Sequence, residues 1–363
     1  VRTILAALVK RGPTIVCLED IHWADPSSLD LLRNILTEFT QAAIFLCAYR
    51  PPFTLFPSHK HSGMEESYLE IQLHDLSTSE AQDMAESLLK TKTVPTELRQ
   101  FIQEKAEGNP FYLEEVVNSL IEIETLIPEN GGWRLARSIS ESEISSTIHG
   151  LISGRLDRLE KETKRIFQEA SVIGRAFLYD ILKKVTELED RVDQGLRTLE
   201  RLDLIRTRSI QPDIEYMFKH PLTQEVVYKS LLIKERQAIH EQIAIVMEQL
   251  FQDRIPEFCE TLAFHYKQGR SVRKAAHYLT KSGEKSLRRY AVEESHQHFK
   301  EAFELLSNKS ERTKEEDGLL IDLLMKWALV FYYRGDFKGL INLLNAHKHL
   351  AEALEDKPRL GMF

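Results

Sequence analysis

The chain has 363 residues, 42% of them hydrophobic and 29% charged, with a formal net charge of −8. That is the profile of a globular protein with room for about two or three domains, not of a disordered chain, and the negative balance argues against wholesale nucleic-acid binding. No apolar run is long enough to span a bilayer and no signal-peptide pattern opens the chain. The three cysteines, Cys17, Cys47 and Cys259, are odd in number and far apart, which fits a cytoplasmic location better than disulfides or a metal.

VRTILAALVKRG (1–12) reads as a helix that feeds a buried strand almost at once; there is no initiator Met, and a fragment lacking its N-terminal part is expected. Residues 14–18 and 43–49 are short continuous apolar runs, the pattern of parallel strands buried on both faces. SSLDLLRNILTEF between them has helical spacing, so the unit reads strand, helix, strand. YLEIQL (68–73) is a candidate further strand. Ser77 and Glu80 predict a capping box at the start of STSEAQDMAESLLK, and residues 95–106 predict a second helix. GNPF then opens a third helix with Pro110 in its first turn. ENGGW (129–133) is a turn, and the Ser-rich stretch 138–147 marks a boundary.

LDRLEKETKRIFQEASVI, FLYDILKKV and RVDQGLRTLERL give three helical patterns, and LIRTR and IEYMF, joined by SIQPD, give a hairpin. Three helices and a hairpin make a winged-helix arrangement over 148–232. From HPLTQEVVY onward every element is helical. FHYKQG and FYYRG recur about two tetratricopeptide periods apart, ending at Gly269 and Gly335.

The chemistry sits in TIVCLEDIHWAD (14–25), where an apolar run meets Glu19 and Asp20. In open α/β sheets, ligands bind beyond the carboxyl ends of strands. One acid there can hold Mg²⁺ and a second can polarise the water that attacks a phosphate. The plainer reading is a strand ending at the surface with two solvated acids. Asp25 precedes Pro26 and suits an N-cap.

The order LEDIHWADPSSLDLL, FLCAYRPP, EGNPFYLEEVVNSL, MFKHPLTQEVVYKSLL resembles the STAND class of signal-transduction ATPases, in the branch found beside adenylate/guanylate cyclase or kinase domains. The resemblance covers roughly residues 1–250. It implies a mixed, mostly α fold: a partial α/β P-loop ATPase core over 1–76, a helical lid over 77–147, the winged helix over 148–232 and a tetratricopeptide-like array over 233–363. It implies Glu19 as the Mg²⁺-side acid, Asp20 as the water-polarising acid and Arg50 as a sensor of the γ-phosphate. Gly108, Asn109 and Pro110 would form an adenine-contacting element, and His220 would reach the β-phosphate of ADP. As an ordinary helix start Pro110 needs no ligand, and as a packing residue beside Pro221 neither does His220.

The implied cycle is a switch, closed with ADP and opened by ATP, with homo-oligomerisation in the ATP state and protein partners on the helical tail. ATP, ADP and Mg²⁺ are expected ligands of the longer parent, a slow ATPase. No GxxxxGK[ST] occurs in these 363 residues, so the chain by itself is expected to be inactive and to bind no nucleotide tightly. Two other readings stand beside this one. The chain could be a non-catalytic scaffold with a degenerate core. It could also be a winged-helix DNA regulator, although residues 151–232 hold 15 Lys and Arg against 14 Asp and Glu, poor electrostatics for a phosphate backbone.

Overall fold

Whether the two apolar runs pair, and which side of them is covered, decides what the first acidic motif can do. In the computed structural model, which describes residues 1–39, 42–56, 67–106, 108–129, 131–139, 144–309 and 311–363, the chain divides into two compact units. One comprises residues 1–73 with 289–294, the other 74–288 with 295–363.

The first unit runs α1 (Arg2–Val9), β1 (Thr14–Leu18), α2 (Pro26–Phe39), β2 (Ala43–Cys47). The strands pair in parallel from Thr14↔Ala43 to Leu18↔Cys47, and α2 supplies the crossover that parallel strands need. Val16 and Phe45 pack on Leu5, Ile35 and Phe39, while Leu18 and Cys47 pack on a cluster of Ile21, Leu36, Leu55 and Phe56. The opposite face is bare among the described residues: Ile15 is 62% exposed, Ile44 59% and Leu46 56%. Burial on both faces, expected from the continuous apolar runs, is therefore corrected to burial on one. The expected strand at 68–73 also fails. These residues have no ladder partner among those described, and Leu69, Ile71 and Leu73 point into solvent. Alternation supplies only half of a strand; the other half is a neighbour with free backbone groups.

The second unit opens with α3 (Thr78–Leu89), α4 (Thr96–Lys105) and α5 (Pro110–Glu122), followed by a hairpin of β3 (Leu126–Glu129) and β4 (Gly132–Leu135). The capping box forms: Ser77 N–H donates to the Glu80 carboxylate at 2.8 Å, and Glu80 N–H donates to Ser77 Oγ at 3.3 Å. Leu98, Leu113, Val116 and Leu120 lie in the core of this three-helix layer. Glu129 pairs with Gly132 at the end of the hairpin, and the Trp133 indole N–H ties the hairpin down by donating to the Leu89 carbonyl at 2.8 Å; Asn130 of the expected ENGGW turn lies outside the described residues. The Ser-rich boundary lies partly outside the described residues.

Next come α6 (Ile148–Arg158), α7 (Lys161–Ile173), β5 (Ala176–Leu178), α8 (Tyr179–Val185), α9 (Val192–Arg201), β6 (Ile205–Ser209) and β7 (Glu215–Phe218). The strands form an antiparallel sheet in the order β5-β7-β6, around a core that includes Ile166, Phe167, Leu182, Leu196, Leu199 and Phe218. The hairpin is the one legible in LIRTR and IEYMF. The third strand, β5, is too short to show a period. The remainder is helical: α10 (Pro221–Ser230), α11 (Ile233–Leu250), α12 (Cys259–Gln268), α13 (Val272–Arg288), α14 (Val292–Ser307), α15 (Lys314–Arg334), α16 (Phe337–Ala353) and α17 (Lys357–Met362). At the joint between α10 and the array, His240 and His265 are each 1% exposed. Their Nδ1 atoms lie 2.9 Å apart, and His240 Nε2 lies 3.0 Å from the Tyr228 hydroxyl. No described helix is long and apolar enough to cross a membrane.

Candidate functional site

In the first unit, hydrogen bonds past the ends of both strands fix where the acids emerge. The Leu18 carbonyl accepts from Ala48 N–H at 2.8 Å, and Ile21 N–H donates to the Ala48 carbonyl at 3.2 Å. Ile21 is buried, so Glu19 and Asp20 form a short arch held at both feet. Asp20 makes the arch by adopting left-handed backbone, φ 55°, a conformation Asp tolerates better than most residues. Arg50 leaves the end of β2 two residues beyond Ala48, and its carbonyl accepts from Phe53 N–H at 3.1 Å. Glu19, Asp20 and Arg50 thus share the carboxyl edge of the parallel pair, with Glu19 and Arg50 exposed and Asp20 half-buried.

The rest of the motif is structural. Asp25 Oδ1 accepts from Ser28 N–H at 2.8 Å and Oδ2 from the Ser28 hydroxyl at 2.6 Å, as an N-cap of α2 does. The Ser28 hydroxyl is the main reason the Asp25 carboxyl is more acidic than usual. Trp23, 81% exposed, leans on the His22 ring.

Two carboxylates beside a guanidinium can take the metal side of a nucleotide. No group of three or more His, Cys, Asp or Glu among the described residues is placed to hold a metal ion. Mg²⁺ commonly takes one or two carboxylates and completes its octahedron with water and phosphate oxygens. Glu19 and Asp20 therefore fit a Mg²⁺ bound together with its phosphates, not one held alone.

In the second unit, Gly108 has φ +73°, and its carbonyl accepts from Leu76 N–H at 2.8 Å. A Cβ there would lie 2.6 Å from the Leu76 oxygen, so the close approach requires glycine. Asn109 is the N-cap of α5: its Oδ1 accepts from Phe111 N–H at 3.0 Å and Tyr112 N–H at 3.1 Å. Pro110 fills the first turn and is exposed.

His220 meets this same helix. Its ring lies 3.9 Å from that of Phe111, centroid to centroid, and its Nε2 is 3.2 Å from Glu114 Oε2. Lys219 reaches Glu114 Oε1 and also Asp203. The hydrogen bond to His220, then those from Lys219, hold the half-buried Glu114 carboxyl down to about 2. Burial works against the Lys219 charge, yet Asp203 and Glu114 together raise its pKa above the ordinary value.

The neighbouring Glu115 makes a second connection. Arg155 of α6, its side chain 1% exposed, donates from Nη1 to Glu115 at 2.8 Å, from Nη2 to Glu122 at 2.6 Å and from Nη2 to the Leu202 carbonyl at 2.6 Å. Sequence reading missed Glu114, Lys219 and Arg155. A signal existed for the first: Glu114 stands four residues after Pro110 and three after Phe111, on one face of one helix. Its partners are 105 and 106 residues away, which no local pattern reveals.

The structure therefore gathers the predicted site residues into two groups, Glu19, Asp20 and Arg50 in one unit, and Gly108, Asn109, Pro110 and His220 around α5 in the other. Residues 77–134 match the model of a domain of unknown function, DUF8739. The match spans α3 to β4. An uncharacterized protein of Rhizobium meliloti (strain 1021) is 25% identical over 335 residues, which cover 88% of this chain and 30% of that protein. The chain thus spans under a third of that relative's length. Among solved structures, the fold is similar, with a TM-score of 0.46 and 13% identity, to a signal transduction ATPase with numerous domains (STAND) protein with a tetratricopeptide repeat sensor from Pyrococcus horikoshii. That similarity covers 99% of this chain and 65% of the other.

Proposed function

We propose that the chain is part of a STAND-type ATPase that acts as an ATP/ADP-dependent signalling switch, with its helical tail as a sensor or protein-docking surface. The observation that carries the reading is the shared edge of the parallel pair, where Glu19 and Asp20 leave β1 beside Arg50 leaving β2. In this reading Asp20 polarises the attacking water, Glu19 faces Mg²⁺ and Arg50 meets the γ-phosphate. Bound Mg²⁺ would supply charge neutralisation of the phosphates.

The second unit supplies the reporting half. The order α7, β5, α8, α9, β6, β7 is helix, strand, two helices and a hairpin, which supports reading 148–232 as a winged helix. His220, directly after its last strand, touches the helix that Gly108, Asn109 and Pro110 open. A contact of this kind, made in one nucleotide state and lost in the other, is what shifts a two-state population.

The phosphate cradle is expected from the longer parent. The test is ATP hydrolysis by that parent: Asp20→Asn should reduce turnover at least ~100-fold, and unchanged turnover refutes the reading. The 363-residue chain by itself should bind a fluorescent ATP analogue with Mg²⁺ more weakly than micromolar, and tighter binding counts against the division of labour.

A scaffold without catalysis is the second reading. It is favoured by the apolar side chains that α15 and α16 leave in solvent, among them Tyr332 (61% exposed), Phe337 (53%) and Ile341 (58%). Turnover in the parent decides between the two.

A further inference from the structure

Arg165 and Glu169 stand four residues apart on α7, close enough to pair along one face of the helix. Arg165 Nε donates to Glu169 Oε1 at 2.8 Å. The other oxygen receives nothing: Glu169 is 5% exposed, and its Oε2 is buried with no hydrogen-bond partner among the described residues. A buried carboxylate oxygen is seldom left so, because its lost hydration is not replaced. Glu169 lines a cavity of about 680 Å³ between α7, the end of α8 and α11, within the ~300–1,000 Å³ of small-molecule sites. Val185, Leu188 and Ile239 give this cavity an apolar lining. Its charged lining is Glu162, Glu169 and Glu187 against Lys161 and Arg165, a surplus of one negative charge.

We infer that the cavity is a binding site for a small organic ammonium ion with an apolar body. The ammonium donates to Glu169 Oε2, and the apolar body lies on Val185, Leu188 and Ile239. Oε2 is closed off as it stands, so entry takes a rotation of the carboxylate about its terminal torsion, which is soft in Glu. Oε1 keeps its bond to Arg165 only if the guanidinium follows, and that side chain is 40% exposed and free to do so. Hydrogen bonds between two charged groups are about twice as strong as neutral ones, so the site should prefer an amine to an alcohol of the same shape. The inference goes beyond the nucleotide reading and does not depend on it.

The test uses the whole 363-residue chain with 2-phenylethylamine and 2-phenylethanol as probes, followed by saturation-transfer NMR. The amine should bind at least ~10-fold more tightly than the alcohol. Glu169→Gln should bring the two probes to similar affinity. Ala238→Trp, at an exposed position of α11 that also lines the cavity, should block both probes while leaving the carboxylate in place. Circular dichroism checks that each variant is folded, and the Ala238→Trp arm decides the matter if Glu169→Gln does not fold. Equal affinity of the two probes for the unmodified chain overturns the proposal. So does amine binding that survives either folded variant. Failure of both probes to bind also overturns it, and leaves a water molecule as the donor to Oε2.

Discussion

At the scale of single residues, two buried titrations set how the chain should respond to acid, and they fall in different pH windows. Burial holds His240 at about 4 and His265 at about 3, well below the ordinary histidine value. Two facing Nδ1 atoms need one donor and one acceptor, so the contact fails once both rings carry an added proton. The unfolded chain takes up protons that the folded chain refuses. Stability should therefore fall as pH drops from about 6.5 toward 4. Chemical denaturation across that range should show the loss, and His265→Leu should flatten part of it. Glu114 works in a lower window. Its folded value of about 2 lies below the ordinary carboxyl, so its contribution is full above pH ~4.5 and is lost as pH falls toward 2. That contribution is on the order of 2–3 kcal/mol, and Glu114→Gln should remove the acid dependence between those limits while leaving the histidine window intact. Of these residues the sequence displays only the types. A histidine pair 25 positions apart, or a carboxylate answering a lysine more than a hundred residues away, becomes visible only when helices pack.

At the scale of elements, the legible features were those whose causes are local. The Ser77–Glu80 box, the Pro110 helix start and the 205–218 hairpin each depend on residues a few positions apart. What escaped depends on a neighbour. The run at 68–73 alternates correctly and still pairs with nothing described, while β5 has almost no period of its own and exists because β7 lies beside it. The GNP element was legible as a helix start. The reason for its glycine was not, because the obstacle is the Leu76 backbone oxygen. Gly108→Ala should destabilise the unit by ~1–3 kcal/mol through its positive φ alone, and more through the clash, measured as a lowered urea midpoint. Arg155→Met should cost ~3–5 kcal/mol, because it leaves the Glu115 carboxylate buried without its partner. Changing Arg155 and Glu115 together to Met and Leu should recover much of that loss.

At the scale of the whole molecule, Glu19, Asp20 and Arg50 lie in one unit and Gly108, Asn109, Pro110 and His220 in the other. The edge holding Glu19, Asp20 and Arg50 was legible because an apolar run followed by acids implies a strand end. That only one sheet face would be packed was not legible, since a continuous apolar run reads the same whether its second cover is present or missing. The bare side sets an expectation for the isolated chain. Ile15 pairs with Ile44 and Cys17 with Leu46 across the ladder, a contiguous apolar patch of the kind that promotes association. Sedimentation velocity should show concentration-dependent self-association of the 363-residue chain, and Ile15→Thr with Ile44→Thr should reduce it.

The adjacency of Glu114 and Glu115 constrains how α5 can move. Successive side chains on a helix diverge by about 100° around its axis, so these two acids grip different neighbours in different directions, Lys219 and His220 on one side and Arg155 on another. A roll of the helix about its long axis would pull against both anchors at once. Glu122, two turns further along, accepts from Arg155 and Arg158 as well, so the helix is held at more than one level along its length.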